Sequence, residues 1–420
     1  MRVAVIGGGV AGLSAAHELL RRGADPVVFE AEERAGGKVG TRAERGWVTE
    51  DGPNFLARPL DALLDASGLR GEVVKPRPPT TRWVHLQGRV LKAPSLGLLA
   101  RAGAFRALLE PLFARPLRED VSLRSFLEAR LGRKAGGLAA TLMSAGVYAG
   151  DPSLLSARDA FPTLGELGAK GSLIVNAFRR PKAAPRTGLW TLRRGLGTLV
   201  EAVSARLAGS VRLGARITQL APAARGWDVQ GERFDAVVLA VPAAAAAAIA
   251  RPFAARFAEV AGAFHSAPVT VVHLGFAQEG LPRGFGMLDA DGTLHGIGTL
   301  LPSSMLPGRA PEGRALVTVI CGGAKHPDRA ALPDGELVPG ILGDLSRTWA
   351  VKAQVEYVRV VRWGAAIPQY APGHREAVRA ARESLAGLPP IEVAGASWDG
   401  VGVPDVARSG AVAAARLAPA

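Results

Sequence analysis

The segment RVAVIGGGVAGLSAAHELLRRGADPVVFE, residues 2–30, holds a strand, a glycine turn, a helix and a second strand in direct succession. Apolar residues 3–6 are followed by Gly7-Gly8-Gly9-Val10-Ala11-Gly12. Residues 13–22 then carry apolar side chains at helical spacing, Gly23 stops them, and 26–30 extend again. This is a βαβ unit. The turn matches G-x-G-x-x-G: Gly7 for a tight turn, Gly9 for close approach of backbone to a pyrophosphate, and Gly12 for close packing of helix on strand. The helix start offers free N–H groups and a positive dipole end to phosphates. Glu30 lies 18 positions after Gly12, where its carboxylate can accept both hydroxyls of an adenosine ribose. The pattern predicts a dinucleotide site, and it is common to NAD and FAD.

Around this unit the chain has 420 residues, enough for two or three domains, and 48% apolar residues, which excludes disorder as the main state. Fifty-one basic against 37 acidic residues give a net charge of +14. That balance suits an anionic partner: nucleic acid, an anionic lipid surface or a carboxylate-bearing small molecule. A single cysteine, Cys321, excludes internal disulfides, thiol redox pairs and cysteine-based metal or iron–sulfur sites. Redox chemistry therefore needs a bound cofactor. A strand pattern from residue 3 argues against a signal peptide, and no long charge-free apolar window supports a transmembrane helix. There is no G-x-S-x-G or H-E-x-x-H motif, and the seven histidines show no ligand spacing. Neither a catalytic acid–base residue nor a metal ligand is expected. His273 in the apolar run 271–276 reads as a core or wall histidine, as do His85 and His295.

The next segments select between the cofactors. Glu33-Arg34-Ala35-Gly36-Gly37-Lys38-Val39-Gly40-Thr41 and then Glu50-Asp51-Gly52-Pro53-Asn54 follow the acidic residue in an order that resembles the flavoproteins grouping amine oxidases, phytoene desaturases and protoporphyrinogen oxidases. The resemblance sharpens further along. AGASWDGVGVPDVARSG at 394–410, GVYAGDP at 146–152, Gly284-Phe285-Gly286, Val317–Gly323, and Ile367-Pro368-Gln369-Tyr370 with Gly373-His374 are similar to oxygen-dependent protoporphyrinogen oxidases and their coproporphyrinogen-oxidising relatives. Pro404-Asp405-Val406 departs from the usual triplet, and the turn at Pro53-Asn54-Phe55-Leu56 is shorter than in that family.

The resemblance implies an α/β fold: a Rossmann-like FAD-binding domain, a mixed-sheet substrate domain and a helical membrane-associating insertion. The implied division is FAD-binding 1–60, 188–245 and 362–420, substrate 61–95 and 246–361, and helical 96–187. FAD would be held by Gly7, Gly8, Gly9, Val10, Ala11, Gly12, Glu30, Ala31, Gly37, Lys38, Gly52, Pro53, Asn54, Ile217, Trp363, Val401, Gly402 and Val403. A porphyrinogen would lie against Gly146, Val147, Phe285, Leu288 and Ile320, with Arg82 taking a propionate through its two-pronged fork. Dioxygen would be the electron acceptor. The implied location is cytoplasmic, on the inner face of the cell membrane, with a homodimer left open as the assembly.

Three readings stay open on the residues alone. Leu98, Leu99, Phe105, Leu108, Leu109, Leu112 and Phe113 follow helical spacing with Arg101, Arg106, Arg115 and Arg118 between them. They suit either an interfacial basic segment or an internal helix pair. An amine oxidase would share the FAD frame, although residues 396–406 contain no cysteine for covalent flavin attachment. A basic nucleic-acid binder is disfavoured by 5% aromatics and the lack of a recognition module.

Overall fold

The computed structural model describes residues 1–57, 60–179, 188–207, 209–277, 281–352 and 354–418. Its first sheet is parallel, with strand order Ile391–Val393, Ala236–Leu239, Arg2–Ile6, Asp25–Phe29, Val211–Arg212. Central residues such as Val3, Val5 and Val238 are fully buried, because helices cover both faces of a parallel sheet. On one face lie helices Val10–Arg21 and Val403–Leu417, packed through Leu13, Leu19 and Ala414. A Cβ on Gly410 would stand 1.9 Å from the Ala11 carbonyl oxygen, so glycine is what lets these two helices touch. The other face is covered by helices Ala243–Ala250 and Ala255–Gly262, with Trp227 and Phe257 in the shared core.

The second sheet has seven strands in the order Val355–Pro368, Ser266–Ala277, Arg314–Gly322, Gly296–Leu300, Gly286–Asp289, Arg82–Leu86, Arg89–Ala93. Only Arg82–Leu86 with Gly286–Asp289 is a parallel pair; the rest are antiparallel. Helix Asp334–Trp349 covers one face through Leu337, Ile341 and Leu345. Cys321 is buried in that layer, and burial pushes its thiol up to about 12. The opposite face presents Ile320, Val271 and Trp363 to Ala149, at the end of helix Arg133–Tyr148. That helix and Leu123–Leu131 share a small core of their own with Phe126 and Ala140.

Two elements span the expected divisions, and one expected helical run is broken. The boundary at 245/246 falls inside helix Ala243–Ala250, whose buried Ala246 and Ala250 pack on the parallel sheet. The boundary at 361/362 falls inside the strand Val355–Pro368. That strand pairs along its whole length with Ser266–Ala277 in the seven-stranded sheet. Val211–Arg212 joins the parallel sheet, while Leu220–Pro222 and Trp227–Val229 build a separate antiparallel sheet with Glu232–Phe234. The helical spacing at 98–113 is divided into helix Leu96–Arg101, a 3-10 turn Ala104–Leu109 and helix Glu110–Phe113. Gly103, at φ 62°, breaks the run. Residues 180–187 of the helical segment lie outside the described residues.

Candidate active site

The carboxyl ends of the parallel strands are where an open α/β sheet binds ligands, and the glycine turn occupies that edge. Gly7 has φ +106°, and a Cβ there would meet the Ala240 carbonyl oxygen at 2.7 Å. A Cβ on Gly12 would sit 1.8 Å from the Gly7 carbonyl oxygen. Gly9 is different, because nothing lies within 4 Å of its Cβ position. It caps helix Val10–Arg21 with no side-chain hydrogen bond, so the N–H groups of Val10 and Ala11 are left for a ligand. Glu30 is buried and accepts from the Gly8 N–H at 2.7 Å and the Glu32 N–H at 2.9 Å, through different oxygens. A carboxylate oxygen has more than one lone pair, so each can still accept a hydroxyl. Ala31 continues from Glu30, and Ile217 lies close by in the core, two residues after Ala215, whose N–H donates to the Glu30 carbonyl at 2.7 Å.

The second loop packs on the first. Gly36 bridges to Gly9, and a Cβ on Gly37 would be 3.4 Å from the Gly9 Cα. Burial holds the Lys38 ammonium below its ordinary value. Gly52 presses against the Lys38 carbonyl, which a Cβ would approach to 2.7 Å; Pro53 follows, and Asn54 donates to the Gly52 carbonyl at 3.2 Å. At the other end of the chain, Gly402 caps helix Val403–Leu417 with Pro404 in its first turn. Val401 packs beside Tyr370, and Val403 against the parallel-sheet core. The Tyr370 hydroxyl accepts the Gly400 N–H at 2.8 Å and donates to the Ala396 carbonyl at 2.6 Å, fixing the glycine turn.

A polar hub joins this edge to the second sheet. Glu50 is buried against Arg309 at 2.9 Å, accepts from Thr41 at 2.6 Å and from the Leu196 N–H at 3.1 Å. Asp51 pairs with Arg34 at 2.7 Å and with Arg359, and its carbonyl accepts from the Trp363 indole at 2.8 Å. His273 contacts the Glu50 carbonyl at 3.0 Å and the Thr318 hydroxyl at 2.9 Å. A carbonyl only accepts, so Nε2 carries the proton and Nδ1 accepts from Thr318. Burial then lowers this imidazole to about 4.

Next to the hub lies an apolar wall. Ile320 and Ile297 share one cluster with Trp363, and Leu288 is on the neighbouring strand, its side chain 3.7 Å from where a Gly146 Cβ would be. Gly146 therefore leaves open the space over Leu288. Val147 is solvent-exposed at the same helix end. At the wall's edge the Arg82 guanidinium lies 5.0 Å over the Phe285 ring, which stacks on Phe55 at 5.5 Å.

The flavin-containing amine oxidoreductase model matches residues 10–418. The chain belongs to that family. This FAD-dependent oxidoreductase is similar to protoporphyrinogen oxidase 1 of Spinacia oleracea, at 31% identity over 91% of the chain and 77% of the relative. It is also similar to coproporphyrinogen III oxidase of Bacillus subtilis, at 28% identity over 98% and 96%. Among solved structures, an Exiguobacterium protein named as a candidate protoporphyrinogen oxidase superposes with TM-score 0.86 and 24% identity, covering 99% of this chain and 98% of that one. Cyclohexylamine oxidase of Brevibacterium oxydans superposes with TM-score 0.76 and 17% identity, covering 99% and 98%. The residues present fit FAD: an open face over Gly9, free N–H groups at a helix start, and a buried carboxylate where a ribose would lie.

Sequence reasoning passed over Arg309, Arg359, Phe55 and Ile297. Only Phe55 had a local signal, as an apolar residue within the quoted turn 53–56. The structure also gathers His85, Asp289 and Asp291 into one cluster, which no spacing announced. Those carboxylates are occupied. Asp289 accepts from His85 at 2.9 Å and from the Leu294 N–H at 2.9 Å, and Asp291 caps the N–H groups of Gln87 and Gly88. The cluster locks two turns, which is sufficient to account for it.

Proposed function

We propose that the protein oxidises protoporphyrinogen IX to protoporphyrin IX, with FAD and dioxygen, in haem synthesis. The observation that carries this reading is the wall of Leu288, Ile297 and Ile320, joined to the dinucleotide cradle through the Trp363 to Asp51 hydrogen bond and edged by Arg82. An apolar macrocycle bearing carboxylates matches an apolar wall with one arginine at its rim.

Bound FAD supplies a two-electron acceptor that dioxygen regenerates. The chain positions and shields. Leu288 and Ile320 exclude water from the reacting carbon, and Gly146 makes room above it. Arg82 orients the ring by one carboxylate, and Phe285, itself stacked on Phe55, holds the guanidinium in place through ring contact. Helix Val403–Leu417 directs the positive end of its dipole toward the turn at Gly400 and Gly402, favouring negative charge there. No group on the wall needs to accept a proton, and the neutral buried His273 is spent on Thr318 and Glu50. Three two-electron steps remove six electrons, and each dioxygen takes two electrons and two protons to leave as hydrogen peroxide.

The location on a membrane belongs to the same reading. No helix of the described residues is long and apolar enough to cross a bilayer. Instead Phe105, Leu108 and Phe113 are 77%, 73% and 76% exposed, beside exposed Arg106, Arg115 and Arg118. Apolar side chains grouped with arginines favour an anionic lipid surface. Buried Glu110 anchors the segment by accepting from the Leu173 N–H at 2.8 Å and by pairing with Arg130 at 3.3 Å. Turnover of protoporphyrinogen IX with peroxide counted against porphyrin tests the reaction. Three peroxides per porphyrin are expected, and flavin-loaded protein that leaves porphyrinogen untouched overturns it.

A further inference from the structure

A small cavity opens between the last turns of helix Arg133–Tyr148 and the loops after Asp289 and Gly322. Its inner side is formed by Ala149 and Ile297, which also belong to the wall cluster of Ile320 and Trp363. Its outer side is formed by Lys325 and His326, with the hydroxyl-bearing Thr141 and Ser144 on the helix. The loop is held there by two contacts with the helix end: the Ala324 N–H donates to the Ala149 carbonyl at 2.8 Å, and a Cβ on Gly323 would clash with that oxygen. Asp289, the acid at the cavity, is engaged by His85 and by the N–H groups of Asp291 and Leu294. Lys325 has no carboxylate partner among the described residues.

We propose that this cavity is a second carboxylate subsite, taking a propionate on the side of the macrocycle remote from Arg82. The proposal rests on the porphyrinogen reading above. Its geometry comes from strand register: Arg82 pairs with Gly286 and His85 with Asp289, three residues along, which at ~3.3 Å per residue puts the two ends ~10 Å apart with Leu288 between them. An ammonium, an imidazole and the Thr141 hydroxyl around a pocket with an apolar floor suit a carboxylate on a short alkyl arm, the Ser144 hydroxyl being engaged by the Thr141 carbonyl at 3.1 Å. Protoporphyrinogen IX has propionates on two neighbouring pyrroles only, and presents a vinyl group on the far side. Coproporphyrinogen III has a propionate on every pyrrole. Lys325 and His326 are thus specificity-determining residues through which the site also accepts the tetracarboxylate.

The test compares Lys325→Ala, Lys325→Arg and the unaltered holoenzyme on both porphyrinogens, with binding of the products coproporphyrin III and protoporphyrin IX followed by fluorescence. The KM ratio of copro- to protoporphyrinogen should rise at least about tenfold in Lys325→Ala, the scale of one charge-assisted hydrogen bond. The kcat for coproporphyrinogen should change less than its KM, coproporphyrin binding should weaken in parallel, and Lys325→Arg should restore most of the ratio. An unchanged ratio, or equal losses for both substrates, overturns the subsite while leaving the porphyrinogen reading intact. If the unaltered holoenzyme oxidises neither porphyrinogen, the underlying reading fails instead.

Discussion

Gly12 shows how one missing methyl group positions a cofactor site. A Cβ 1.8 Å from the Gly7 carbonyl oxygen cannot be accommodated without moving the helix off the strand. Gly12→Ala should therefore cost about 2 kcal/mol or more of stability and lower the flavin content of purified protein, measured by urea unfolding and absorbance. Arg82 is a separate matter, because it is exposed and its loss threatens no core. Arg82→Ala should raise the KM for porphyrinogen about tenfold with a smaller change in kcat, and Arg82→Lys should recover only part of it. His273 adds a pH dependence. Its folded-state value of about 4 lies below the ordinary 6.5, so below pH 6.5 the unfolded chain takes up a proton that the folded one refuses. Its contribution is complete above pH 6.5 and is lost as the pH falls toward 4, by roughly 3 kcal/mol in all. Denaturation midpoints of His273→Gln between pH 7 and 4.5 should fall less steeply than those of the unaltered protein. The glycines were legible in the sequence because each has its requirement within a few tens of residues, or at one strand end. The Glu50–Arg309 and Asp51–Arg359 pairs were not, since they join positions 259 and 308 apart and leave no local pattern.

Among elements, the segment Leu96–Phe113 is the one whose sequence and structure part company. Its apolar residues recur as if on one continuous helix, yet Gly103 in the left-handed region and the 3-10 turn after it divide the run. What survives is the exposure of Phe105, Leu108 and Phe113 with arginines alongside. Replacing these three with serine should abolish sedimentation with anionic vesicles and leave the thermal midpoint within a few degrees, because none of them is packed. Added salt should weaken vesicle binding of the unaltered protein, by screening the arginines. Unchanged sedimentation of the triple variant would remove the segment from membrane contact. Helix Ala243–Ala250 opens on six alanines, which favour a helix wherever they stand, and the packed structure seats Ala243, Ala246, Ala247 and Ala250 on the parallel sheet.

At the scale of the whole molecule, the fold returns three times to one sheet. Strands from the N-terminal unit, from Ala236–Leu239 and from Ile391–Val393 lie side by side, although the seven-stranded sheet and the helical region intervene in the chain. The βαβ unit and the family motifs made the parallel sheet foreseeable. The parallel pairing of Arg82–Leu86 with Gly286–Asp289 was not, for its partners are some two hundred residues apart and neither strand carries a mark of the other. That pairing places Arg82 on the same wall as Leu288, and the Glu50-Asp51 hub fastens the wall to the cofactor edge. In the proposed function, one surface holds FAD and a porphyrinogen in reacting contact. Anaerobic addition of protoporphyrinogen IX to flavin-loaded protein, followed by air, tests this directly. The flavin absorbance should bleach as porphyrin appears, then return with hydrogen peroxide; flavin that stays oxidised beside bound porphyrinogen would contradict the account.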